Sequence, residues 1–131
     1  MEEPIFVNPD GLLDPPGPYS QVVRVGDLAF VSGQVGADAT GVLVSDGVAE
    51  QAEQALRNIG IALSAVGLDL DRVVKVTIFV AYPDDLPELV PAMDLFFPEL
   101  FPNGFPASSL VMVQRLFDPA LRVEIEAVAH A

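Results

Sequence analysis

Few side chains in this sequence can do covalent or metal chemistry. Cysteine is absent, and His130, beside the C-terminus, is the single histidine. Thiolate nucleophiles, disulfides and Cys-rich zinc sites are excluded on that count, as is a metal site built from several histidines. A Ser-His-Asp triad would have to recruit a terminal residue, where chains are held least well. Hydroxyls and carboxylates remain. Ser108 and Ser109 stand in Phe105-Pro106-Ala107-Ser108-Ser109-Leu110-Val111-Met112-Val113. There a Pro-containing turn feeds a short apolar run that reads as a buried strand. Serines at the mouth of such a strand can face a cleft, so Ser108 is expected to govern any small-molecule chemistry. No base accompanies it, and it reads as a hydroxyl lining a cleft or as a strand-start residue, not as a nucleophile. Asp84-Asp85 reads as a helix cap. Asp69-Leu70-Asp71 reads as loop, with a weak cation site left open.

Charge narrows the partners. Six Lys and Arg oppose nineteen Asp and Glu, for a net −13. Nucleic-acid binding needs clustered cations, whereas Arg24, Arg57, Arg72, Lys75, Arg115 and Arg122 are scattered. Anionic membranes are disfavoured on the same ground. No apolar run approaches the roughly 20 residues of a membrane span, and no basic segment leads into an apolar one as in a signal peptide. The expected location is cytoplasmic, and neither cofactor nor metal is called for.

Periodicity supplies the elements that must position these residues. Ile5-Phe6-Val7 reads as an edge strand and Gly11 to Pro18 as loop. Tyr19 to Val25 and Leu28 to Val31 read as strands joined through Gly26-Asp27 as a two-residue hairpin. Gly36 to Gly47, rich in Gly and Asp, reads as loop or an irregular hairpin. Val48, Ala52, Ala55, Ile59, Ala62 and Val66, widened by Leu56 and Leu63, form one helical stripe. Asp46 is its expected cap, and Gly67 its left-handed C-terminal residue. Between Arg72 and Ala81, Val74, Val76, Ile78 and Val80 alternate with Val73, Lys75, Thr77 and Phe79, a strand with the Lys/Thr side partly wet. Leu86, Leu89, Val90, Met93, Phe96 and Phe97 mark a second helix. Pro91 would cost about 3 kcal/mol in its interior, which predicts a kink or a late start; Pro98 and Pro102 are expected to end it. Leu121 to Ala129 turns Leu121, Val123, Ile125 and Ala127 one way, and Arg122, Glu124 and Glu126 the other.

This order predicts an α+β sandwich: a single domain, residues 1–131, with a mixed sheet and both helices on one face. The uncovered face would carry valines and isoleucines, and an apolar patch of that extent usually marks a partner. Self-association into a closed ring is the simplest form of it.

Six segments in sequence resemble the RidA/YjgF family, also labelled endoribonuclease L-PSP and translation initiation inhibitor. They are Gly17-Pro18-Tyr19-Ser20-Gln21, Phe30-Val31-Ser32-Gly33-Gln34, Gln54-Ala55-Leu56-Arg57-Asn58-Ile59, Val73 to Val80, Pro106-Ala107, and Val123 to Ala129. The resemblance implies a chorismate-mutase-like fold with a six-stranded sheet. It also implies a homotrimer with a pocket at each subunit interface, and hydrolysis of reactive enamines and imines to 2-oxo acids and ammonia. Carried over residue by residue, it implies Tyr19 as the pocket tyrosine, Ser32 and Gly33 as a hydroxyl and backbone N–H lining the pocket, and Glu124 as the acid that orients water. The family's Pro-x-Arg-Ser motif is not kept. Its arginine, which holds the substrate carboxylate, falls at Ser108, and a pocket asparagine falls at Val90 or Pro91. Arg115 matches a different arginine and, seven residues along a regular strand, would face away from Ser108.

A bidentate guanidinium–carboxylate pair replaced by one neutral hydroxyl loses charge-assisted bonds of roughly 1.5–3 kcal/mol each, or about two orders of magnitude in affinity for a 2-iminocarboxylate. Two readings follow. The protein hydrolyses an imine, enamine or related small metabolite without that carboxylate, or it is a non-catalytic small-metabolite-binding or regulatory trimer. The older ribonuclease label runs against the charge.

Overall fold

The computed structural model describes residues 2–131. Its elements are β1 (Ile5–Val7), β2 (Val22–Val25), β3 (Leu28–Gln34), α1 (Val48–Ser64), β4 (Val73–Val80), α2 (Leu86–Leu100), β5 (Ala107–Met112) and β6 (Val123–His130). The strands form one sheet in the order β1-β2-β3-β6-β4-β5. Every pairing is antiparallel except β4 with β5, which α2 joins by a crossover. This is the expected α+β architecture, a mixed six-stranded sheet with two helices.

One face of the sheet makes the core. Ala29 and Val31 of β3, Val76, Ile78 and Val80 of β4, and Val123, Ile125, Ala127 and Ala129 of β6 are buried with the inner stripe of α1 and with Leu89 and Phe96 of α2. Ala52, Ala55 and Ala62 let α1 lie close to the sheet, while Leu56, Ile59 and Leu63 fill the space between. Each of those large side chains contributes about 1.5–3 kcal/mol on full burial. The end of α1 is the expected left-handed glycine. Gly67 has φ +80, with Leu68 N–H donating to Leu63 O at 2.9 Å and Gly67 N–H to Ser64 O at 3.2 Å.

Five expectations need correction. Asp46 does not cap α1. The N-cap is Gly47, without a side-chain cap bond; Ser45 Oγ accepts the Gly47 N–H, and Asp46 offers its carbonyl to Arg122 Nε. Asp85 does sit at the N-cap of α2 but caps nothing with its side chain, because its carboxylate takes Arg122 Nη1 at 3.1 and 3.2 Å. Helix α2 neither starts late nor ends at Pro98. Pro91 and Pro98 both lie on its exposed side, where water can satisfy the carbonyls they orphan, while Leu89 and Phe96 hold the inner side. In β4 it is Val73 that is buried, and Val74 is 48% exposed. The pairing with β6 slips by one residue between Val73 and Lys75, and an unbroken β-branched run gives no sign of such a bulge. Finally, β5 is not buried. It is the edge strand beside β4, with Ala107, Ser108, Ser109, Val111 and Met112 exposed and only Leu110 half-buried. A short apolar run reads the same whether or not something covers it.

The second sheet face is open. Register places Phe6 level with Val23, Val23 with Phe30, and Phe30 with Val128, so one apolar row crosses four strands. Phe6 is 66% and Phe30 45% exposed. No helix of the described residues is long and apolar enough to cross a membrane. Replacing Gly67 by alanine forces a Cβ into the left-handed region, and urea unfolding is expected to show a loss of about 1 kcal/mol.

Candidate functional site

A bulge builds the site. Val31 of β3 pairs with Ala127 of β6, and the next pair is Gln34 with Ile125. Three steps on β3 thus span two on β6, and Ser32-Gly33 take up the extra residue. The bulge presses the β3 backbone against the side chain of Glu124. A Cβ on Gly33 would lie 2.8 Å from both Glu124 Cδ and Oε2, so the carboxylate occupies space that any other residue at 33 would fill. Glu124 is half-buried. Burial pushes its carboxyl above the ordinary value of 4.5, and the like charge of Glu126 pushes it the same way. Neither of the ion pairs among the described residues, Arg57–Glu53 and Arg122–Asp85, involves it. A half-desolvated carboxylate without a cation is suited to accept a proton from water.

Ser32 lies beside this seat with its proton engaged: Oγ donates to the carbonyl of Ser20 at 2.6 Å. It holds the loop that carries Tyr19, one residue away, and its oxygen is left as an acceptor. Tyr19 is 47% exposed. The chain therefore gathers Glu124, Gly33, Ser32 and the Tyr19 loop at one end of the β3–β6 pair.

Ser108 is not gathered with them. It is level with buried Val76, on the helix side of the sheet, whereas Glu124 is level with Phe79 on the open side. Residues paired across strands share a face, so within one chain the sheet separates the two. Ser109, not Ser108, faces the open side, level with Thr77, and accepts a hydrogen bond from Lys75 Nζ at 2.7 Å. Arg115 spends its guanidinium on the carbonyls of Leu116 and Phe117 in its own loop. Val90 and Pro91 are exposed on α2. Leu70–Arg72 between Asp69 and β4 forms a single 3-10 turn, in which Asp71 accepts from Asn103. Two surface hollows, of about 230 and 510 Å³, lie at Pro98–Phe105 and along the outer side of α1, away from Glu124.

Sequence reasoning missed the bulge and two buried amides, Gln21 and Gln34, which flank it. A polar residue at the end of each apolar strand run was the available signal.

The raised carboxyl of Glu124 has a consequence for stability. A folded-state pKa above the unfolded value favours the protonated form, so its contribution is present below about pH 4.5 and lost as pH rises through the folded value. Glu124→Gln is expected to melt higher than the parent at about pH 7 and to lose that advantage at about pH 3.5. Calorimetry at both pH values checks the difference.

Known proteins match closely. The model of the family described as Endoribonuclease L-PSP covers residues 12–131. The chain is 43% identical over 114 residues to the 2-iminobutanoate/2-iminopropanoate deaminase of Homo sapiens, and 45% identical over 114 residues to that of Bos taurus. Each match covers 86% of this chain and 80% of the relative. Among solved structures, the YjgF gene product from E. coli superposes with a TM-score of 0.87 at 33% identity, over 96% of this chain and 98% of that one. E. coli TdcF with bound serine superposes with a TM-score of 0.87 at 30% identity, over 97% and 98%. With the family model spanning nearly the whole chain and the fold shared, this protein belongs to the RidA/YjgF family, the endoribonuclease L-PSP family.

Proposed function

We propose that this protein, as one folded unit over residues 1–131, works as a homotrimer that hydrolyses small imines or enamines in pockets between its copies, in the cytoplasm and without a cofactor. Glu124 is the base. The observation that carries this reading is its carboxylate, half-buried, outside both ion pairs among the described residues and seated on the Gly33 backbone. The deaminase relatives support the reaction class, and the serine held by TdcF supports a small-molecule ligand. The apolar row Phe6, Val23, Phe30 and Val128 supports burial against another copy. Ser108 and Glu124 lie on opposite sides of one sheet, so both can line one pocket only if neighbouring copies supply them.

The chemistry balances on one carboxylate. Glu124 takes a proton from water as the water oxygen bonds to the iminium carbon, and the C=N electrons move to nitrogen. The protonated Glu124 then gives that proton to the nitrogen of the carbinolamine. The C–N bond breaks as the hydroxyl oxygen forms the carbonyl, and the hydroxyl proton leaves with the nitrogen as ammonium. Tyr19 and the Gly33 N–H are the remaining polar groups of the pocket, with Ser32 as an acceptor.

Ser108 sets the substrate. A neutral hydroxyl in a −13 chain gives no grip on a carboxylate, which favours imines without one. The same feature favours the second reading, binding of a small metabolite without turnover.

Ethanimine, formed in place by an amine oxidase, is expected to be hydrolysed faster than 2-iminopropanoate, and Ser108→Arg to raise kcat/KM for 2-iminopropanoate alone by about 10- to 100-fold. Glu124→Gln should lower kcat on ethanimine by about 10²- to 10⁴-fold; a change in affinity with no turnover in either form would establish the second reading. Sedimentation of the parent should show a trimer, and Phe30→Glu, which puts a charge into the apolar row, should release monomers.

A further inference from the structure

We propose that Gln34 and Gln21 are positioning residues, two buried amides that clamp the Tyr19–Gln21 segment onto the Ser32–Gly33 bulge so that the seat of Glu124 and the tyrosine loop form one rigid body. The inference rests on the reading of Glu124 as the base.

Both amides are almost wholly buried, Gln34 at 5% and Gln21 at 6% exposure. Gln34 Nε2 spends both its hydrogens inside the clamp, one on Gln21 Oε1 at 2.8 Å and one on the carbonyl of Ser32 at 3.0 Å. Gln21 Nε2 donates to the carbonyl of Leu13 at 2.9 Å, and the Gln21 backbone N–H donates to Asn8 Oδ1 at 2.8 Å. Its own carbonyl accepts the Ser32 N–H at 2.9 Å. With Ser32 Oγ on Ser20 O, six hydrogen bonds converge on a loop of no regular structure and a bulge whose two residues have no partner on β6.

The neighbours explain why amides are needed. Val22, Val31 and Ile125, adjacent in sequence or register, are fully apolar and buried. Burying two primary amides among them is unfavourable unless they are hydrogen-bonded; no buried side-chain nitrogen or oxygen among the described residues lacks a partner, and a hydrogen-bonded buried network specifies one geometry. An apolar pair would fill the same volume but remove the Gln34 bond to the Ser32 carbonyl and leave the loop free to shift. A shift at Gly33 passes to Glu124, because there is no side chain between them to absorb it.

The test compares Gln34→Met, Gln21→Met and the double variant with Leu63→Ala, a cavity in the core of α1 remote from the bulge. Two quantities are read, the NMR titration midpoint of the Glu124 carboxyl and kcat/KM on ethanimine. Among the described residues, the titratable and charged groups on the same sheet face are Glu126 and His130 of β6 and Lys75 of β4, with Tyr19 on the adjoining loop; none of the variants alters them, and β3 contributes none. Each Gln variant is expected to bring the Glu124 midpoint down toward the ordinary carboxylate value and to lower kcat/KM by about tenfold or more. The double variant should go no further than either single, since the clamp is lost once. Leu63→Ala should melt lower and move neither quantity. If Gln34→Met does not fold, Gln21→Met decides. An unmoved midpoint in the folded Gln variants, full additivity in the double, or an equal shift in Leu63→Ala overturns the clamp. Absence of turnover in the parent overturns the reading of Glu124, and the midpoint still decides the clamp.

Discussion

The last strand of the chain has to occupy the middle of the sheet. β6 pairs with β3 on one side and β4 on the other, so neither half of the sheet is complete until residues from the two ends of the sequence meet. Its inward residues Val123, Ile125, Ala127 and Ala129 are all buried, and a slip by one residue would turn them out and drive Glu124 and Glu126 into the core. That penalty fixes the register. Each flanking strand then absorbs its own mismatch as a bulge, β4 at Val74 and β3 at Ser32-Gly33. The first is a matter of packing. The second brings a bare stretch of backbone against Glu124, and the candidate site is a by-product of closing the sheet.

The site works against the stability of the fold. Glu124 is held where its charged form is disfavoured, Gly33 gives up a side chain to make room, and two amides occupy positions that hydrocarbon could fill. None of these choices improves the core. Their common effect is a carboxylate with a fixed position and weakened hydration, which is what a base acting on one bound water needs. The core on the helix side is conventional and dense, and it carries that cost.

What could be read in the sequence divides along a physical line. The stripe of α1, the Gly67 end, the Gly26-Asp27 hairpin and the alternation of β6 were legible because each depends on residues close in the chain. The features that escaped are set by partners elsewhere. The Val74 bulge depends on β6, the exposure of β5 on its place at the sheet edge, and the passage of α2 through two prolines on which side faces water. Asp85 lost its expected role to Arg122, a residue from the far end of the chain, and Asp46 lost its own because the helix begins one residue later, with Gly47 as N-cap. For the site, the resemblance marked Tyr19, Ser32, Gly33, Ser108 and Glu124. Only register showed that Ser108 faces the other side of the sheet from Glu124, and only the bond to Ser20 showed that the Ser32 hydroxyl proton is already committed.

The central claim is that the carboxylate of Glu124 deprotonates the water that attacks an imine. The pH dependence of kcat/KM on ethanimine measures it most directly. A base with a raised pKa must ionise to act, so the rate should climb with pH through a midpoint above 4.5, and that climb should vanish in Glu124→Gln. A Gln variant that keeps both the rate and the climb would contradict the account.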